Sequence, residues 1–185
     1  MPTLFRHKLS YVIFNVVTDK EYPSTKTIEL KSITFEDIAN KGDYQQIPAS
    51  PDTKNWTVTG TKEQAYYTAP KAATGVIITE APTTLTSNAT QNYFLPQEFS
   101  NTAKLVITYE VTTTEGTTTE GTSTSVDHVV KEIYINPKNG SKMFESWLMG
   151  KKYTVTLTFK LDEILWDPAV EDWTTEDGTV SSDVK

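Results

Sequence analysis

The sequence predicts an all-β protein, a β-sandwich of about seven to nine mainly antiparallel strands. The first observation behind this is the stretch Lys152 to Leu161, where Tyr153, Val155, Leu157, Phe159 and Leu161 alternate without a fault with Lys152, Thr154, Thr156, Thr158 and Lys160. Only a half-buried strand needs a period of two. The second is composition: the apolar fraction is 37%, and threonine fills the shortfall. Thr is β-branched, stiff at χ1 and suited to a pleated, partly solvated surface. The third is punctuation, since the remaining apolar runs are short and bounded by Gly and Pro. The 185 residues fit one large domain or two small ones. Residues 1–173 are assigned to the sandwich and residues 174–185 to an acidic polar tail.

Leu9 to Val17 opens the fold, with Leu9, Tyr11, Ile13 and Val17 on one side and Val12, Phe14 and Val16 on the other. Apolar residues on both faces mark a central strand covered twice. Leu9 and Ile13 are expected in the core, together with Ile107, Tyr153, Val155, Leu157 and Phe159. After the turn chemistry of Glu21-Tyr22-Pro23-Ser24 comes a strand from Thr27 to Phe35, whose apolar parity switches near Ser32 and so predicts a bulge. Asn40-Lys41-Gly42-Asp43 is expected to end it. Short strands follow at Trp56 to Gly60, Gly75 to Thr79 and Tyr93 to Leu95. Lys104 to Thr112 and Val126 to Ile135 then flank residues 113–125, a tandem of Thr-Thr-Glu-Gly units. With no large apolar residue to offset its ordering entropy, this piece reads as a long mobile hairpin tip. It is either a plain solvated loop or a contact loop using Glu115, Gly116, Glu120 and Gly121.

The net charge is -7 and acid is concentrated after Asp162, while the nearest thing to a basic stripe is Lys151-Lys152. Nucleic acid is therefore not an expected partner. No apolar run approaches the roughly 20 residues that a bilayer-spanning helix needs. Absence of cysteine excludes disulfides, Cys-ligated zinc, thiol catalysis and a lipid-anchoring cysteine within these residues. Met1-Pro2-Thr3 leads straight into the first strand pattern, with no charged and apolar leader resembling a signal peptide.

The two histidines, His7 and His128, have no second ligand at metal spacing, and no nucleophile elbow, zincin or P-loop pattern occurs. No enzyme, metal or cofactor is expected. Asp162, Glu163, Asp167, Glu171, Asp172, Glu176 and Asp177 raise the thought of calcium. They lack the alternating acidic order of a dedicated loop and read as a solvated surface. Trp56, Tyr66, Tyr67 and Tyr93 lie in loop-rich segments, where they serve either the core or sugar contact.

The segment from Ile164 onward is the candidate assembly strand, carried by Ile164, Trp166, Val170 and Trp173. Pro168 lacks a backbone donor, which suits an edge strand. Such a strand either closes this domain's own sandwich or pairs with an exposed edge of a neighbour, as in strand addition.

Trp147, a short gap, Gly150-Lys151-Lys152-Tyr153-Thr154, an alternating strand and the closing Val170 and Trp173 resemble the C-terminal end of the fimbrillin-like proteins, surface pilins and pilus-tip proteins of Bacteroidota. Leu4-Phe5-Arg6-His7-Lys8-Leu9-Ser10 resembles the entry to their second domain. Leu95-Pro96-Gln97 before Ala103 to Tyr109 is similar to their central strand. The match spans residues 4 to 173. The resemblance implies a transthyretin-like sandwich and a structural, adhesive fimbrial subunit at the cell surface or outer membrane, with an export signal and an N-terminal anchor outside the residues shown. It further implies donor-strand complementation, with other fimbrial subunits as partners and surface glycans or proteins as adhesive targets. The alternative is a carbohydrate-binding surface module that does not polymerise.

Overall fold

The computed structural model describes residues 7–45, 55–70, 74–85, 92–118 and 121–173. These residues form two stacked sheets. The first is built on β1 (Ser10–Thr18), β11 (Lys151–Phe159) and β12 (Ile164–Asp172), in the order β12-β11-β1. The far edge of β1 is covered by two two-residue strands, β5 (Thr83–Thr84) and β6 (Tyr93–Phe94). The second sheet runs β3 (Trp56–Thr68), β2 (Lys26–Tyr44), β8 (Lys104–Thr118), β9 (Gly121–Tyr134), with β4 (Val76–Ile78) also paired to β2. A separate ladder joins β7 (Gln97–Glu98) to β10 (Ser146–Trp147). Long strands make the sandwich, and the strands of two or three residues patch its edges. Every pairing is antiparallel except that of β1 with β11, which is parallel from Tyr11↔Lys152 to Thr18↔Phe159.

The alternation in β11 places Tyr153, Val155, Leu157 and Phe159 in the core, none more than 2% exposed. Ile107 is buried with them. β1 corrects the expectation for Leu9 and Ile13, which are only half-buried; Val12, Phe14 and Val16 are the fully buried set. Both faces of β1 are apolar, so periodicity alone could not choose between them. The inward side is fixed by tertiary packing, in which Phe14 lies 4.7 Å from Tyr66 and 5.9 Å from Phe35 between ring centroids. Trp147 completes this aromatic centre, with Phe35, Phe94 and Phe99 at 5.1, 4.7 and 4.8 Å. Edge-to-face contacts of this kind add to the area that the rings bury.

Two further expectations are corrected. The strand predicted to end at Asn40 to Asp43 continues to Tyr44, paired with β3 as far as Tyr44↔Trp56, and β3 itself extends past Gly60 to Thr68. The predicted bulge lies between Leu30 and Ser32. A second irregularity between Phe35 and Ile38 holds Asp37 at φ 56° and breaks the apolar alternation, which hid the rest of the strand. The Asp37 carboxylate accepts bonds from Ser100 Oγ at 3.0 Å and from Thr102 Oγ1, which satisfies it in this strained position.

The Thr-Thr-Glu-Gly tandem is the other correction. Its described residues are strand, with β8 running to Thr118 and β9 starting at Gly121. Low complexity argued against core burial, and Thr114 and Glu115 are indeed exposed. It did not argue against a ladder, for which threonine has high propensity. Thr114 N–H also donates to Thr25 O at 2.9 Å, anchoring the base of this ribbon to the second sheet.

Two buried side chains stand in for missing strands. Gln97 accepts from Ala39 N–H at 2.7 Å through Oε1 and donates to Ala39 O and Leu95 O at 3.1 Å through Nε2. It thereby satisfies both backbone groups of one β2 residue. Tyr66 bridges β1 to the chain after β5: its hydroxyl accepts from Phe14 N–H at 3.1 Å and donates to Leu85 O at 3.3 Å, while Phe14 O accepts from Leu85 N–H. Burial pushes its phenol up to about 12.

Candidate functional site: the sheet edges and the aromatic pole

β12 forms one edge of the first sheet and pairs with β11 along its whole length, from Phe159↔Ile164 to Lys151↔Asp172. Ile164 and Trp166 pack half-buried against the core, while Val170 is 53% exposed. The direction of its backbone groups follows from the bonds at its two ends. Trp173 N–H donates to Gly150 O, and Lys160 N–H donates to Glu163 O. In an antiparallel ladder the residues that bond the neighbour alternate with those that point away. Odd-numbered residues of β12 therefore bond β11, and Ile164, Trp166, Pro168 and Val170 turn their backbone groups to the side away from β11. Pro168 removes a donor from that row, a device that blunts an edge.

β9 lies at one end of the second sheet, opposite β3, with β8 as its ladder partner among the described residues, and the same reasoning applies. Thr114 N–H points from β8 toward β2, and Ile135 N–H, just beyond β9, donates to Ala103 O. Odd residues of β9 therefore bond β8. The N–H groups of Val126, His128, Val130, Glu132 and Tyr134 face outward. No proline interrupts β9.

The other predicted site residues scatter. Glu115 is exposed on the β8–β9 ribbon, and Gly116 and Gly121 fall in its two strands; Glu120 lies outside the described residues. The acidic residues of β12 form cross-strand ion pairs, Glu171 with Lys152 at 2.7 Å and Asp172 with Lys151. Glu163 lies 3.7 Å from Lys160. Glu176 and Asp177 lie outside the described residues. Among the described residues no three His, Asp or Glu side chains come together to hold a metal ion. On the outer face of the second sheet Lys104 lies between Glu132 and Glu36, which push its amine up to about 12. His128 Nδ1 sits 3.1 Å from Glu110 Oε1.

At one pole of the sandwich the two ends of the described chain meet. The His7 ring stacks on Trp173 with centroids 3.6 Å apart, and Tyr11 and Tyr93 flank the same indole at 5.2 and 5.6 Å. Gly150 sits beneath them at φ 69°, a conformation that glycine adopts without steric cost. Its N–H donates to Leu9 O, and its carbonyl accepts from Trp173. The Gly-Lys-Lys-Tyr-Thr stretch is thus the joint between the first and last strands. A shallow cavity of about 480 Å³ lies here, lined by His7, Lys8, Leu9, Tyr93 and Trp173. Trp56 and Tyr44 are close by: Trp56 Nε1 donates to Lys8 O at 2.9 Å, and Lys8 Nζ lies 4.1 Å over the Tyr44 ring. Of the four aromatics considered for sugar contact, Tyr66 and Tyr67 belong to the core and Tyr93 is 53% exposed.

The family model for fimbrillin-like proteins matches residues 3–173. The chain belongs to the fimbrillin-like family. No curated protein matches it. Among solved structures, a fimbrial protein from Bacteroides vulgatus is similar with a TM-score of 0.56 at 20% identity, over 90% of this chain and 54% of that one. A candidate cell adhesion protein from Bacteroides uniformis is similar with a TM-score of 0.53 at 19% identity, over 92% of this chain and 52% of that one. At that identity the likeness is one of fold. This fimbrillin-like chain spans about half the length of either solved structure. The residues carrying the family resemblance acquire structural roles: Trp147 fills the aromatic centre, Gly150 joins the chain ends, and Gln97 pairs with β2. Gln97 and Tyr66 were missed as structural bridges, since nothing in their sequence spacing marks the strand that each replaces.

Proposed function

We propose that this fimbrillin-like chain is a structural and adhesive domain of a bacterial surface fimbria, joined to other fimbrial subunits by donor-strand complementation. The observation that carries the reading is the placement of β12. It is the last described strand, lies at a sheet edge with β11 as its ladder partner among the described residues, and docks on the core chiefly through Ile164 and Trp166. Side chains of that kind contribute about 1.5–3 kcal/mol each when fully buried, and less when half-buried. A strand so held completes the sandwich from within one chain, and an equivalent strand from a neighbour has the same surface to fill. The location that goes with this reading is the cell surface. No catalytic step forms part of it.

The test removes residues 164–185 and supplies them as a synthetic peptide. The truncated domain is expected to lose stability and to associate, and the peptide is expected to bind it and raise its melting temperature, as any ligand selective for the folded state does. Equal stability without the strand, together with indifference to the peptide, would overturn the reading.

The aromatic pole favours a second reading, a carbohydrate-binding surface module. Tyr93 offers an exposed ring beside Lys8 at the mouth of the cavity. The rings around Trp173 stack on one another rather than forming an open strip, which places this reading second. Saturable binding of an oligosaccharide, abolished by Tyr93→Ala in a chain of unchanged melting temperature, would reverse that order.

A further inference from the structure

We propose that β9 is a self-complementary docking edge through which two copies of this chain join their second sheets into one continuous sheet. This contact is separate from any exchange of β12.

Two edges of the sandwich, β12 and β9, differ. β12 is blunted by Pro168, whereas β9 keeps all five outward N–H groups from Val126 to Tyr134. An unprotected edge of this length is a template for another strand. The side chains of the same five residues lie on the outer face of the sheet. Val126, Val130 and Tyr134 are 49%, 61% and 47% exposed. Three of the eight exposed large apolar residues among those described thus line one face of a single edge strand.

The occupant follows from register. Two antiparallel copies of β9 can bond only if even residues oppose even residues, because only these turn their backbone groups outward. Centring the two-fold axis on His128 sets imidazole against imidazole, and centring it on Glu132 sets carboxylate against carboxylate. Centring on residue 129 or 131 sets Val130 against a charged or titratable group. Centring on Val130 sets Val130 against Val130, Val126 against Tyr134 and His128 against Glu132. Every outer-face pair is then apolar with apolar or imidazole with carboxylate. On the inner face Lys131 falls diagonally across from Asp127 of the second copy. Of the registers centred on residues 128 to 132, the one centred on Val130 alone gives this match, and a two-fold contact closes as a dimer rather than growing into a fibre.

The intact chain is tested by sedimentation and by cross-linking. The wild-type chain is expected to sediment as a concentration-dependent dimer. Val130→Pro removes an outward donor without touching the β8 ladder, and it is expected to give a monomer with an intact melt. His128→Glu sets carboxylate against carboxylate at two symmetric positions, and Glu132→Lys replaces the carboxylate facing each imidazole with an ammonium; each is expected to weaken self-association by about tenfold. Mixed in equal amounts, those two variants set the new carboxylate against the new ammonium and keep the other imidazole–carboxylate pair, and they are expected to form a heterodimer. The chain has no cysteine, so Val130→Cys reports register directly. Residues facing each other in a bonded pair have Cα atoms about 5.5 Å apart, within disulfide range. Val130→Cys is expected to cross-link on mild oxidation, and Val126→Cys is not, because its two copies would sit about 27 Å apart along the strands. A wild-type monomer at every concentration, no recovery in the mixture, or equal cross-linking at both cysteines would overturn the proposal. None of these readouts depends on β12, so failure here is distinct from failure of the peptide experiment.

Discussion

Gln97 and Tyr66 show how single side chains hold this sandwich together. Gln97→Ala would orphan the buried N–H and C=O of Ala39, at an expected cost of about 1–3 kcal/mol for each group; denaturant melts of the variant check it. Tyr66→Phe would strip the acceptor from Phe14 N–H and the donor from Leu85 O, and a loss in the same range is expected. Tyr66 also predicts an alkaline limit. Its phenol is pushed from 10.0 to about 12 by burial, and burial likewise raises Tyr22, Tyr67 and Tyr109. The folded state holds these protons more tightly than the unfolded state. Their contribution to stability is therefore complete below pH 10 and is lost as the pH climbs toward 12. A melt series across that window should fall steadily, with a shallower fall in Tyr66→Phe. At this scale the sequence was legible where chemistry is local and opaque where it is tertiary. Leu95-Pro96-Gln97 stood out as a motif, but that Gln97 replaces a strand neighbour depends on Ala39, far away in the chain.

The β8–β9 ribbon separates what alternation can reveal from what it cannot. Strand β11 was fully legible because one of its faces is wet and the other buried. β1 was legible as a strand but not in its orientation, since both its faces are apolar. Residues 113–125 were read as loop because they bury little, and threonine side chains nevertheless support a ladder there. Beyond Thr114 the ribbon has only two strands, and such hairpins are marginal by themselves. Replacing residues 116 to 122 by a two-residue Asn-Gly turn, flanked by the bonded pair Glu115 and Ser123, is accordingly expected to change stability by less than about 1 kcal/mol. A larger loss in denaturant would show that the ribbon is packed. Of the candidate sites, the β12 edge was legible through Pro168. The β9 edge was not, because its exposure depends on which strands lie beside it.

For the whole molecule the decisive feature is the parallel pairing of β1 with β11, from opposite ends of the described chain. No sequence period encodes it, and it ties the first strand to the last hairpin. Folding must close most of the chain before this pairing forms, so refolding is expected on the slow side of small domains, in milliseconds to seconds. Stopped-flow fluorescence of the buried Trp147 measures it, and refolding in microseconds would contradict this. The same pairing brings β1's start and β12's finish to one pole, where His7 and Trp173 touch. A thread tied to both of those points enters and leaves at one spot, so the sandwich hangs from it like a pendant and adds almost nothing to its length. Tension in such a thread drags Trp173 away from His7 and peels β12 from β11 one rung at a time. The domain then yields gently at its last strand while β1, flanked on both sides, stays in place.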